Sequence, residues 1–167
     1  MKEFREITPY ELENVCRLFD KDWTLITLRD GDRVNAMTAS WGGIGILWNR
    51  PVAFLFVRPQ RHTFSLLQNE ERFSLCFLGE EHRDALRICG SKSGRDTDKL
   101  SLANLSAEYE NFTPFVAQSR LVLFCRKCYE ANLERDGFLD KTLLENYRAG
   151  DFHRMYIVEI ESAKLRD

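Results

Sequence analysis

The sequence predicts a mostly β protein, a barrel with short helices added, occupying one domain over residues 1–167. Three observations carry this reading. Six or so strand-like runs are separated by short helical segments that do not alternate strictly with them. Twelve phenylalanines in 167 residues supply bulky strand and core residues. A chain of this length buries roughly 68–70% of its unfolded surface, enough for a core without metals or disulfides.

Taken in order, residues 1–9 read as an extended lead-in. Thr8-Pro9-Tyr10-Glu11 places a cap, a proline at the first helical position and a glutamate three residues after the cap, the pattern of a capping box. A short helix is expected to follow to about Phe19, with Leu12, Val15, Leu18 and Phe19 on its core face. Trp23–Leu28 and Arg33–Thr38 form a hairpin around Asp30-Gly31. Gly42, Gly43 and Gly45 suggest a bend, and Ile44–Asn49 a loop or irregular strand end. VAFLFV, residues 52–57, is apolar throughout and is expected to be buried on both faces. Thr63 can cap a helix over FSLLQNEE. Arg72–Leu78 is a strand and Glu80–Ile88 a short helix, and a polar loop begins at Cys89. Asp98 or Thr97 caps a short helix through Leu102. Residues 106–119 read as irregular. Arg120–Leu133 is the longest strand, Lys141–Tyr147 a short helix, and Phe152–Ile160 the last strand, with Tyr156, Val158 and Ile160 on one face.

Composition narrows the function. A net charge of −2 argues against general nucleic-acid binding, which needs a basic excess. The N-terminus lacks a signal-like apolar core and no run approaches the ~20 apolar residues of a membrane helix, so a cytoplasmic protein is expected. Five cysteines with no secretion signal read as reduced thiols. The single C-x-x-C, Cys125 and Cys128, lies in a strand pattern without a second ligand pair, so no metal site is expected.

Three segments carry candidate chemistry. Asn35–Gly45, NAMTASWGGIG, has no charged residue in a chain that is 30% charged. Thr38 and Ser40 offer hydroxyls and Trp41 a flat apolar cover. Arg58-Pro-Gln-Arg61-His-Thr63 sets two arginines before a helix start, where N–H groups and guanidinium forks suit phosphate. Ser91–Lys99 adds two serines, a glycine, two lysines and an arginine, without the spacing of a P-loop. Gly43-Ile-Gly45 falls short of a dinucleotide fingerprint. Together the three suit a ligand with one phosphate and one large ring.

These segments, N-x-M-T-x-S-W (Asn35–Trp41), V-R-P-x-R-x-T (Val57–Thr63) and C-G-S-x-S-G-R-D-x-D-K (Cys89–Lys99), resemble the flavin reductase-like family of FMN-binding split barrels, in its flavoredoxin-like branch. The resemblance runs from about Trp23 to Ile160. It implies a mainly β fold, a six-stranded antiparallel split β-barrel with flanking short helices, in a homodimer with FMN near the subunit interface. It places Asn35, Met37, Thr38, Ala39, Ser40 and Trp41 along the isoalloxazine and ribityl chain, and Arg58, Arg61 and Thr63 on the phosphate side. Lys92, Ser93, Arg95 and Lys99 close the site or complete the phosphate cage. The activity implied is electron transfer from NAD(P)H through FMN to a flavin, a metal complex or a protein. The family's late Gly-Asp-His triplet is interrupted here as Gly150-Asp151-Phe152-His153, which leaves His153 a candidate nicotinamide neighbour. The interruption motivates an alternative, an FMN-binding electron carrier reduced by a partner protein. A split-barrel protein for another ligand, such as haem, is a third reading.

Overall fold

The computed structural model describes residues 3–166. Its strands are β1 (Arg5–Ile7), β2 (Thr24–Asp30), β3 (Arg33–Ala39), β4 (Gly42–Leu47), β5 (Arg50–Val57), β6 (Arg72–Phe77), β7 (Ala107–Glu110), β8 (Thr113–Val116), β9 (Leu121–Asn132) and β10 (Arg154–Leu165). The α-helices are α1 (Val15–Arg17), α2 (His62–Leu66), α3 (Arg83–Ser91) and α4 (Lys99–Leu102). The mainly β class is as expected. The strands outnumber the expected six because β1, β4 and the β7–β8 hairpin form where the sequence suggests a lead-in, a bend and irregular chain.

One antiparallel sheet runs in the order β3-β2-β6-β9-β10-β5-β4, with β1 against the far end of β10. Alternate residues from its long strands meet in one core, among them Ile26, Met37, Leu55, Leu75, Leu123 and Val158. Side chains from both ends of a flat sheet could not meet, so the sheet is rolled. The opposite face of β2, β3, β6 and β9 is also buried, through Leu25, Ala36, Cys76, Val122 and Phe124, under α3, α4 and the β7–β8 hairpin. Outward-facing side chains of β5, β6, β9 and β10 instead carry a solvated ladder, Arg50–Glu159–Arg126–Glu161–Arg72. β3 and β4 end the strand order although only Ser40 and Trp41 separate them in sequence. The barrel therefore splits at the central segment.

Several expectations need correction. Gly42–Leu47 is a strand paired with β5, turning at Trp48-Asn49, where both φ angles are positive. Gly42 serves close approach, since a Cβ there would lie 2.6 Å from the Phe19 ring and from the Phe54 carbonyl. The first helix is broken. The Thr8–Glu11 capping box forms, but Asn14 turns left-handed at φ 51° and a π-helical turn follows over Leu18–Asp22. α3 continues through Ser91, so Cys89–Ser91 are helical. α2 begins at His62, so Arg61 and not Thr63 is at the cap position, and the Thr63 hydroxyl instead accepts from Asn35. Asp98 caps α4 by accepting from the Ser101 N–H. All five cysteines are free, with Cys125 buried and Cys128 exposed. Among the described residues, no helix is long and apolar enough to cross a membrane.

Candidate functional site

The split in the barrel is a cleft lined by Met37, Thr38, Ala39, Ser40, Trp41, Phe56, Arg58, Arg61 and His153. Eight of these nine are candidates from sequence. Phe56 is the one that sequence reasoning misses, because inside an apolar strand it gives no signal that its ring reaches the split.

Behind one side of the cleft lies α3, whose last turn carries the Cys89 and Gly90 carbonyls. Thr38 donates its hydroxyl proton to the Leu86 carbonyl, Lys99 Nζ donates to the Cys89 carbonyl (3.2 Å), and Arg61 donates to the Gly90 carbonyl (2.8 Å). The negative end of a helix dipole favours cations there. The second terminal nitrogen of Arg61 is buried with no hydrogen-bond partner. Lys99 is only 4% exposed. Burial lowers the pKa of Arg61, and it lowers that of Lys99 to about 8, with Arg61 pushing the same way and Cys89 opposing. Neither cation meets a carboxylate among the described residues. Two desolvated cations with no counter-charge are costly, and an anion would offset that cost.

The three sequence segments are stitched together here. Asn35 Nδ2 donates to Thr63 Oγ1 (2.9 Å), and Arg95 donates to the Gln60 carbonyl (3.2 Å). The Gly94 backbone lies on Asn35 and His62 so closely that a Cβ would sit 2.2 Å from Asn35 Oδ1. Asn35 and Thr63 thus form a buried floor behind the cleft wall. Lys92, Ser93 and Arg95 lie on the adjoining loop and do not line the cleft, and neither does Lys99, which borders a small separate cavity with Asn35 and Gly94; Ser93 Oγ accepts from the Arg95 N–H. Thr38 has given its proton to Leu86, so it can only accept from a ligand.

The other side is arranged differently. The Arg58 guanidinium pairs with Asp151, donates to the Asn146 carbonyl (3.0 Å) and lies 5.2 Å over the Tyr147 ring. Gln60 also donates to Asp151, and these bonds hold the Asp151 carboxyl below its usual range. His153, 7% exposed, shares a 2.8 Å hydrogen bond with the Tyr147 hydroxyl through Nδ1. Its ring lies 5.3 Å from that of Trp41, which is half exposed at the corner between β3 and β4. Burial, with the nearby Arg58, pushes the His153 pKa down to about 4, so the ring is neutral near pH 7.

An open antiparallel barrel with an arginine lacking a counter-charge among the described residues and an exposed aromatic ring at its split suits an anionic ring compound. The chain belongs to the flavin reductase like domain family, whose model matches residues 17–167. A search of curated proteins finds no match. Among solved structures, it is similar to an FMN-binding domain of a flavin reductase-like enzyme from Shewanella baltica, at 17% identity and TM-score 0.72, covering 99% of this chain and 78% of that one. Flavoredoxin of Desulfovibrio vulgaris matches at 17% identity and TM-score 0.70, covering 94% and 75%. The NADH:FAD oxidoreductase of Streptomyces globisporus, solved with NAD and FAD fragments, matches at 16% identity and TM-score 0.64, covering 87% and 77%. These likenesses establish the fold, a split barrel.

Proposed function

We propose that this chain is a single-domain, cytoplasmic, FMN-binding oxidoreductase of flavin reductase or flavoredoxin type. It takes electrons from NAD(P)H and passes them to a flavin, a metal complex or a protein. The observation that carries the reading is Arg61, a cleft-lining residue fixed on the Gly90 carbonyl by one terminal nitrogen, its second terminal nitrogen buried without a partner among the described residues. A phosphate oxygen satisfies such a nitrogen with a charge-assisted bond. The fold likeness to FMN-binding proteins supports the same cofactor.

FMN, when bound, supplies the hydride and electron chemistry. In this reading Arg61 and Lys99 hold the phosphate, and Lys92, Ser93 and Arg95 close over that side. Asn35 and Thr63 keep the floor rigid. Met37, Thr38, Ala39 and Ser40 line the ribityl chain and ring edge, and Trp41 covers the ring. Arg58 lines the same cleft while holding the 146–151 segment. His153 stands as a neutral neighbour of the ring and of an incoming nicotinamide. Self-association into a homodimer is supported by the uncharged edge strand β4, with Trp41 exposed before its first residue and Ile46 and Trp48 exposed at its other end. Exposed apolar edges of this kind are normally covered.

The test is an absorption spectrum of FMN-loaded protein, before and after adding NADH or NADPH without oxygen. Flavin bands that bleach with either nucleotide support the reductase. The second reading, an electron carrier reduced by a partner protein, is favoured by the burial of His153 under Tyr147 and Trp41. It predicts bands that persist with both nucleotides and bleach with dithionite. Absence of flavin binding would overturn both.

A further inference from the structure

His153 has two ring nitrogens in different surroundings. Nδ1 meets the Tyr147 hydroxyl. Nε2 makes no hydrogen bond among the described residues, yet it is not one of the polar atoms sealed from solvent, and its residue lines the cleft. The direction of the Tyr147–His153 bond therefore decides what the cleft meets, an N–H donor or a bare acceptor.

Satisfaction of donors decides it. Tyr147 is buried, and its hydroxyl has no other partner among the described residues. If that oxygen accepted from Nδ1–H, its own proton would be stranded without a partner, which is unfavourable in a buried site. If it donates to Nδ1, every buried donor of the pair is met and the remaining proton sits on Nε2. We propose that Tyr147 is a positioning residue that fixes His153 as the Nε2–H tautomer, presenting a neutral N–H donor to a carbonyl oxygen of the ring bound in the cleft. The proposal rests on the FMN reading above for the identity of that ring.

The surroundings are built to keep this arrangement still. The Tyr147 ring stacks on Phe152 at 4.9 Å and 17°, with Phe138 at 5.6 Å. Arg58 covers the ring while clamped to Asp151 and to the Asn146 carbonyl. Burial disfavours the imidazolium most, Arg58 acts in the same direction, and Asp151 opposes them more weakly. The insertion of Phe152 between Asp151 and His153 thus gains a role, because Phe152 is the plate on which Tyr147 rests.

Tyr147→Phe is the test, since it keeps the ring contacts and removes only the hydroxyl. Nitrogen-15 NMR of histidine-labelled, flavin-free protein at pH 7 should show His153 protonated on Nε2 and hydrogen-bonded at Nδ1. In Tyr147→Phe that Nδ1 signal should move to its unbonded position, with the other tautomer appearing. In FMN-loaded protein the variant should lose about tenfold in the rate of flavin bleaching by NAD(P)H, the scale of one hydrogen bond, with FMN affinity changed less than about twofold. A wild-type protein protonated on Nδ1, or a variant with unaltered nitrogen signals, would overturn the proposal. So would a variant that binds FMN and bleaches at the wild-type rate. Failure of the functional reading shows separately, as wild-type protein that takes up no flavin.

Discussion

Arg58 and Arg61 lie three residues apart in one turn, yet the two sides of the cleft use them in opposite ways. The Arg58 side is electrostatically closed: its guanidinium has a carboxylate, a carbonyl and an aromatic face. The Arg61 side is open: Arg61 and Lys99 rest on helix carbonyls, and no carboxylate joins them among the described residues. The first arrangement holds a segment in place. The second leaves positive charge without a counter-charge among the described residues. Cation type and sequence proximity do not distinguish them; the partners do.

The largest effect is expected on the open side. Arg61→Ala should weaken FMN binding by about 1.5–3 kcal/mol, the value of a hydrogen bond to a charged group, as read by calorimetry. Arg58→Ala should lose less affinity and instead lower the melting temperature, by releasing residues 146–151. Equal affinity losses would erase the contrast between the two sides. Gly94→Ala comes next. Its Cβ would meet Asn35 Oδ1 and the His62 ring, and Asn35 is buried and tied to Thr63, so neither can give way freely. A destabilisation of about 1–3 kcal/mol is expected from the overpacking, measured by urea unfolding.

Lys99 sharpens the comparison through pH. Its pKa drops from an ordinary 10.5 to about 8 in the folded chain. Between those values the unfolded chain binds more protons than the native one, so flavin-free stability rises with pH across that window. FMN affinity should move the other way, falling above pH 8 as the cation is lost. Lys99→Met should flatten both curves, and two slopes of the same sign would remove Lys99 from the anion site. The smallest effect concerns His153. With its folded pKa near 4 against 6.5, the unfolded state binds the extra proton in that window. Stability should therefore decline as pH falls from 6.5 to 4, and His153→Gln should reduce that decline.

By itself the sequence determined the mainly β class, the hairpin at Asp30-Gly31, the capping box at Thr8–Glu11 and the alternation of Tyr156, Val158 and Ile160. These rest on local periodicity and short-range chemistry, which neighbouring residues specify. It also marked Thr38, Ser40, Trp41, Arg58 and Arg61, because small hydroxyls, a tryptophan and arginines are conspicuous in an uncharged or turn-rich setting; Met37, Ala39 and His153 were marked only by the resemblance to the flavin reductase-like family. Tertiary structure alone decided the rest. Gly42–Leu47 became a strand because β5 offered it a pairing edge and Phe19 required a residue without a side chain. Thr63 left its expected cap for a bond to Asn35, 28 residues away in sequence. Arg58 and Arg61 parted because Asp151 and Gly90, distant along the chain, each reached only one of them. A hydrogen bond's partner is fixed by where the barrel brings the chain together, and residue type alone carries no record of that.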